Sequence, residues 1–298
     1  MITLDTLKAK FGAEGEKLFE YLENKHKGGA NNAKGGSFET YFTIYQIAKI
    51  FNEEKKEAEC LFSAQVLGFV DDLEIGFPAR NEFRYYQIKD IIALSWEAGD
   101  HPLRNDFEVQ YTMMHDAGVS GKLFIVVSRQ DVWDALKKSH PDSIQEYSEV
   151  LHFQTAVSLN RLIQEYAVFK NELAGMCALK NPSTDKLEAL GAVLLGVWDA
   201  SDKTNIDLKG LISRCRELTP NYIKGEANVL SGKITGILGS IDGFFFVLEG
   251  GFLRWNYRDT DEGVLAYSIG SQRFEQWEND IFNANIKTFE DLESFLSA

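Results

Sequence analysis

Residues 84–90, RYYQIKD, set Gln87 and Lys89 two positions apart. In an extended strand successive side chains alternate between faces, so these two share one face and Ile88 takes the other. An amide beside an ammonium on a half-buried strand suits either a solvent face or a site with carboxylates close by. Two sources of carboxylates precede it. VDDLEI, residues 70–75, carries Asp71 and Asp72 at the start of the previous extended run, and PARNE, 78–82, is turn material. An antiparallel hairpin through that turn brings Asp71 or Asp72 to the Gln87–Lys89 end, and the residues alone leave the choice open. Farther upstream, GGSFETYF, 35–42, puts Glu39 in the first turn or two of a helix. Carboxylates of this kind hold one or two Mg²⁺ ions, which take oxygen ligands and keep several waters. Such an ion polarises a scissile phosphate and lowers the pKa of bound water, a lysine adds positive charge where negative charge develops, and a glutamine oxygen can replace a carboxylate.

The elements that must position these residues follow from periodicity. Residues 3–25 repeat apolar side chains at helical spacing, and HKGGANNAKGGS, 26–37, is a Gly/Asn loop. A helix is expected over 37–57. The apolar run 60–70, LEIGF at 73–77 and FRYYQIK at 83–89 are expected strands. A helix over 103–117, a buried strand at 122–128 and a helix over 130–138 complete an α/β first half. The second half reads as helices over 153–176, 185–199, 207–218 and 221–236. The three-stranded meander IDGFFFVLEGGFLRWNYRDTDEGVLAYSI follows, with turns at EGG and RDTDEG, and a last helix runs over 287–297. Helices followed by a hairpin suggest a winged-helix-like module. The expected organisation is an N-terminal helix and loop (1–34), an α/β domain (35–150) and a mainly helical C-terminal domain with a small antiparallel sheet (151–298). The aromatic stripe Phe244, Phe245, Phe246, Phe252, Trp255 and Tyr257 reads as sheet core.

Composition narrows the function. A chain of 298 residues favours two domains, and a formal net charge of -14 argues against a general nucleic-acid coat, whose affinity for phosphate comes from Lys and Arg. Residues 151–298 hold more Asp and Glu than Lys and Arg, which favours protein contact over DNA contact there. Cys60, Cys177 and Cys215 form no CxxC, and the histidines show no ligand spacing, so a reducing, cytoplasmic location without structural zinc is expected. Residues 1–25 carry charges throughout, against a signal-peptide core, and no apolar run approaches a membrane span. SGKIT, 231–235, resembles the end of a phosphate-binding loop. However, six residues separate Gly225 from Gly232 where four are needed, and Ile234 follows the lysine in place of Ser or Thr.

Glu at a helix start, Asp at a strand start, then Gln-x-Lys on the next strand resembles the PD-(D/E)XK nuclease superfamily, in its Mrr-like branch where QxK replaces ExK. Trp96 and KLFIVVS, 122–128, extend the resemblance over residues 35–150. Within that branch the chain resembles the effector nuclease domain of CBASS anti-phage systems and the nuclease subunit of Lamassu systems. The resemblance implies a restriction-endonuclease-like mixed sheet flanked by helices. It implies Glu39, Asp72, Gln87 and Lys89 as catalytic residues, with Glu39, Asp72 and Gln87 holding Mg²⁺ or Mn²⁺, and it favours Asp72 over Asp71. The family's basic residue near the first helix has Lys34 as its candidate here. Glu74 and Asp90 are expected to be solvated charges at the strand edge. DNA is the implied substrate. The chain lacks the length expected of a large nucleotide-sensing domain. Control by partner subunits such as an SMC-like ATPase is therefore expected, as is a homo-oligomer when active. Two other readings stand beside this one: a non-catalytic assembly subunit that keeps the fold, and a winged-helix regulatory protein.

Overall fold

The computed structural model describes residues 2–29, 36–53, 59–99, 101–219, 222–225 and 229–296. The chain forms two compact units: Met1–Phe169 with Leu195–Leu211, and Lys170–Leu194 with Ile212–Ala298. The division therefore falls at 169/170 rather than 150/151, and the first unit takes back a later segment.

The first unit begins with α1 (Leu4–Phe11), α2 (Glu14–Gly29) and α3 (Gly36–Glu53), followed by β1 (Leu61–Ala64), β2 (Leu73–Phe77) and β3 (Glu82–Lys89). The chain continues through α4 (Leu103–Asp116), β4 (Ser120–Val127), α5 (Gln130–Lys138), β5 (Ser148–His152) and α6 (Leu159–Glu165). Next come α7 (Ala167–Met176) and α8 (Thr184–Asp199), then β6 (Ile206–Asp207) and α9 (Leu208–Leu218). The strands form one mixed six-stranded sheet in the order β5-β4-β3-β2-β1-β6. β3 lies antiparallel to β2 and parallel to β4, and β4 is parallel to β5.

Alternation along β3 sorts its two faces. Tyr86 meets Phe42 of α3 and stacks on Phe124 of β4. On the opposite face Tyr85 joins Ile125 and Val127 in a core with Phe107 and Met114 of α4 and Val132 and Leu136 of α5. Apolar side chains on both faces mean helices on both faces. Gly121 lets β4 approach β3: it pairs with Phe83 at φ 153, and a Cβ there would stand 1.8 Å from the Phe83 carbonyl oxygen. Gly121→Ala is expected to lower stability by about 2 kcal/mol or more, because backbone must shift to admit the methyl group. A urea-unfolding midpoint equal to that of the wild type would refute this.

The sequence periodicity gave several elements wrong bounds. The expected helix over 3–25 breaks at Gly12 into α1 and α2. The apolar run 60–70 is a strand only to Ala64. Gln65 turns to φ 52, the chain bows outward, and Val66 N–H returns to the Asp71 carbonyl at 3.0 Å. Phe69 and Val70 beyond the bow are buried, Phe69 with Leu7 and Leu22 of α1 and α2, whereas Leu67 at its tip is exposed. The expected helix over 153–176 begins only after Ser158, which caps α6, and Tyr166 interrupts it. The Gly/Asn loop lies partly, and Lys34 wholly, outside the described residues.

The second unit ends in α10 (Gly232–Gly239), β7 (Phe244–Glu249), β8 (Phe252–Tyr257), β9 (Asp261–Val264), α11 (Gln272–Asn283) and α12 (Phe289–Leu296). The expected helix over 221–236 is replaced, within the described residues, by a bridge of Ile223 to Cys177 and by α10 starting after its cap Ser231. The meander is antiparallel in the order β7-β8-β9. Its first turn needs two residues at positive φ, which Gly250 and Gly251 supply at 63° and 82°. Phe244 and Phe252 are buried, and Trp255 and Tyr257 pack on Phe289 of α12. Phe245 does not belong to that core: alternation turns it, with Val247, outward to 68% exposure.

Candidate active site

β2 and β3 close through a tight turn at Pro78–Arg80, with Asn81 in the left-handed conformation at φ 48. Leu73 pairs with Tyr86, so Asp72, one residue earlier, arrives beside Gln87. Gln87 is 1% exposed, which rules out a solvent face. Asp72 Oδ2 accepts hydrogen bonds from Gln87 Nε2 at 2.5 Å, the Ile88 backbone N–H at 2.7 Å and Lys89 Nζ at 3.3 Å. Glu39, near the start of α3, is joined to this group through Gln65. The Gln65 Nε2 donates to Glu39 Oε2 at 2.9 Å and lies 3.4 Å from Asp72 Oδ1. The structure thus gathers Glu39, Asp72, Gln87 and Lys89 at one end of the central hairpin.

Asp71 faces a different neighbour. Its Oδ1 is buried without a hydrogen bond and stands 3.5 Å from Lys25 Nζ of α2. Lys25 also donates to the Phe69 carbonyl, to Gln87 Oε1 at 3.0 Å and to Asp106 Oδ2 of α4 at 3.0 Å. Tyr21 OH donates to the same Asp106 oxygen at 3.0 Å, and the Gln110 Oε1 accepts from Phe69 N–H at 2.9 Å. Gln65, Lys25, Tyr21 and Asp106 are thus site neighbours that the sequence motifs did not indicate. Lys25 sits in a polar KHK context that reads as surface. The one available signal was the helical register that places it three residues after buried Leu22. Glu74 differs from its expected solvation: it is half-buried against its strand partner Tyr85, and burial raises its pKa. Asp90 is exposed and accepts a hydrogen bond from Ser128 Oγ.

Burial pushes the Glu39 and Asp71 carboxyls toward neutrality. Burial first, and the Asp72 charge next, push the Glu39 carboxyl up to about 7 against the opposing Lys89 and Gln65. Burial likewise raises Asp71, with Lys25 opposing. For Lys25 itself burial acts to lower the pKa, but the Asp71 and Asp106 carboxylates outweigh it and the net shift is upward. The ordinary Glu value is 4.5. Between that value and about 7 the folded chain keeps a proton the unfolded chain has released, so stability falls as pH rises through this window. Asp71 adds a slope of the same sign. In metal-free buffer Glu39→Gln is expected to make the urea-unfolding midpoint less sensitive to pH between about 5 and 7. An unchanged slope would refute the raised Glu39 value.

Glu39 and Asp72 suit a hard divalent cation. Each offers carboxylate oxygen, and the amide hydrogens of Gln65 lie between them where positive charge is wanted. Gln87 is placed differently, presenting its nitrogen to Asp72 and its oxygen to Lys25. Among the described residues no three His, Cys, Asp or Glu side chains stand close enough to hold an ion by themselves. An ion here would therefore keep several waters, as Mg²⁺ does.

No family model and no curated protein matches the chain. Two solved structures resemble it, both of the Acinetobacter baumannii Cap4 SAVED/CARF-domain containing receptor. One holds the cyclic trinucleotide 2'3'3'-cAAA and has 9% identity. The other holds 3'3'3'-cAAA and has 10% identity. Each match has a TM-score of 0.41 and covers 63% of this chain and 46% of the receptor. The chain therefore spans less than half the length of the receptor it resembles. The likeness is too slight to carry an activity across. Among the described residues no helix is long and apolar enough to cross a membrane.

Proposed function

We propose that the chain is a divalent-metal-dependent DNA endonuclease with a restriction-endonuclease-like first unit, acting as a cytoplasmic effector subunit of a bacterial anti-phage defence complex. The observation that carries this reading is the convergence of Glu39, Asp72, Gln87 and Lys89 around the end of the β2–β3 hairpin. The Gln-x-Lys resemblance supports the same reading. Glu39 and Asp72 would hold Mg²⁺ or Mn²⁺, which when bound supplies Lewis-acid activation of the phosphate and of water. The Ile88 N–H and the Gln87 amide fix the Asp72 carboxylate in one orientation. The Lys89 ammonium, its side chain 35% exposed, reaches past Asp72 toward solvent and would place its positive charge beside the attacking water and the phosphate oxygens. Hydrolysis then breaks one P–O ester bond and adds the elements of water across it.

The second unit, read as winged-helix-like, would serve regulation or self-association. Phe245 and Val247 on the outer face of its edge strand offer an apolar contact for such assembly. A net charge of -14 makes DNA binding by the single chain weak, so assembly, alone or with an SMC-like ATPase, would supply the grip. The test is cleavage of supercoiled plasmid with Mg²⁺ or Mn²⁺ over a protein concentration series, wild type against Lys89→Ala. Metal-dependent cutting lost in the variant supports the proposal. Cutting that persists in Lys89→Ala overturns the assigned site. No cutting by the wild type at any concentration, repeated with partner subunits present, favours a non-catalytic assembly subunit.

A further inference from the structure

The Lys25 ammonium is ringed by the Phe69 carbonyl, Gln87 Oε1, Asp106 Oδ2 and Asp71 Oδ1. A carbonyl, an amide oxygen and two carboxylates make the environment of a bound hard cation, and here a side chain supplies the cation. The consequence falls on Gln87. An amide has one accepting end and one donating end. Lys25 engages the oxygen, so the nitrogen must face Asp72. Turning the amide over would set its NH₂ against the ammonium and its oxygen against the Asp72 carboxylate, two repulsions in place of two hydrogen bonds. With the amide in its present orientation Asp72 Oδ2 is occupied by three donors, and Gln87 has no oxygen to offer a cation beside Asp72.

We infer that Lys25 is a tethered cation that competes with a divalent ion for this site by locking the Gln87 amide in the orientation that closes Asp72. Withdrawing Lys25 frees the Gln87 oxygen to turn toward Asp72 and opens the site. The inference rests on the metal-dependent reading above and names the control of that same site. The carrier of Lys25 is suited to such movement. Among the described residues α1 and α2 fully bury only the side chains of Leu7 and Leu22, against Phe69 and with Ile2, Phe11, Leu18, Phe19 and Tyr21 partly buried around them and Val109 and Met113 of α4 alongside. Surface pairing of Lys10 with Asp116 at 2.7 Å adds little. A segment fixed by few buried contacts opens at less cost than the main core.

Calorimetric titration with Mn²⁺ tests this on the full chain. Lys25→Met alone would strand Asp71 and Asp106, so it is paired with Asp106→Asn, which restores the net charge of the wild type and is expected to keep the fold. Thermal melting by circular dichroism checks that it does. The double variant is expected to bind Mn²⁺ about tenfold more tightly or better, within the usual range of coupling between two sites. Adding Asp72→Asn should abolish the gain. Equal or weaker binding in the folded double variant overturns the inference, as does a failure of the double variant to bind. The nuclease reading is judged separately by cleavage. Tighter Mn²⁺ binding without DNA cutting keeps this inference and sinks that reading. DNA cutting with affinity indifferent to Lys25 does the reverse.

Discussion

Under the proposed nuclease reading, Lys89→Ala is expected to lose metal-dependent DNA cleavage by a factor of about 10² to 10³ or more, the usual effect of removing one preorganised donor to charge that develops in a transition state. Stability should change little. The Lys89 side chain is 35% exposed and pairs with Asp72 at 3.3 Å. Without it Asp72 Oδ2 still accepts from Gln87 and from the Ile88 N–H. The carboxylate therefore stays hydrogen-bonded, and the cost is about 1 kcal/mol or less. Activity and stability thus separate in this one variant. Lys89→Arg discriminates further: it keeps the charge, but its planar fork does not reproduce a compact ammonium, so partial rather than full recovery is expected. Plasmid nicking scored beside a thermal melt checks both halves. A large drop in melting temperature would mean that lost activity reports lost structure, contrary to the role assigned here.

Trp96→Ala is expected to produce the largest loss of stability, about 3–5 kcal/mol, the usual range for truncating a buried tryptophan. Trp96 is 1% exposed. Its ring meets Phe107 edge-on at 5.4 Å and stacks on His140 at 5.0 Å, and its Nε1 donates to the Leu136 carbonyl at 3.0 Å. One side chain thereby joins α4, α5 and the segment between α5 and β5. Set against a typical total of about 5–15 kcal/mol, the loss takes much of the stability of the first unit. Trp96→Phe keeps an aromatic ring but not the hydrogen bond, and should fall between the two. Urea unfolding followed by circular dichroism measures the series. A loss under about 1 kcal/mol for Trp96→Ala would show that the pocket collapses around the missing ring.

The hairpin end of the site was legible because it is local. The Asp71–Asp72 pair, the turn and Gln87 to Lys89 lie within one short stretch, and strand alternation sets which side chains of β3 share a face, while the choice of Asp72 over Asp71 came with the family resemblance. The observed strands Leu73–Phe77 and Glu82–Lys89 match that reading closely. Glu39 needed the family resemblance, since helix periodicity does not say which strand end a helix start approaches. Gln65, Lys25 and Asp106 come from an irregular bow and two separate helices, and apart from the register of Lys25 with Leu22 nothing in their local pattern points inward. The missed elements have similar causes. β5 carries SEVLH, a short run without clean alternation, and β6 is two residues long. α11 is strongly amphipathic, but its QRFEQWENDIFN spaces few apolar residues among many polar ones.

The two residues of β6 have an effect out of proportion to their length. They pair with β1, and Asn205 N–H reaches Ser63 Oγ across 142 positions of sequence. The segment Lys170–Leu194 is therefore an insertion, tethered to the first unit at both ends. During synthesis the sheet edge at β1 must wait for residues 206 and 207 to leave the ribosome, long after the hairpin that carries Asp72 and Gln87 has closed. Pairing so distant in sequence forms late. The residues that carry the site's carboxylates thus leave the ribosome well before those that seal the sheet edge.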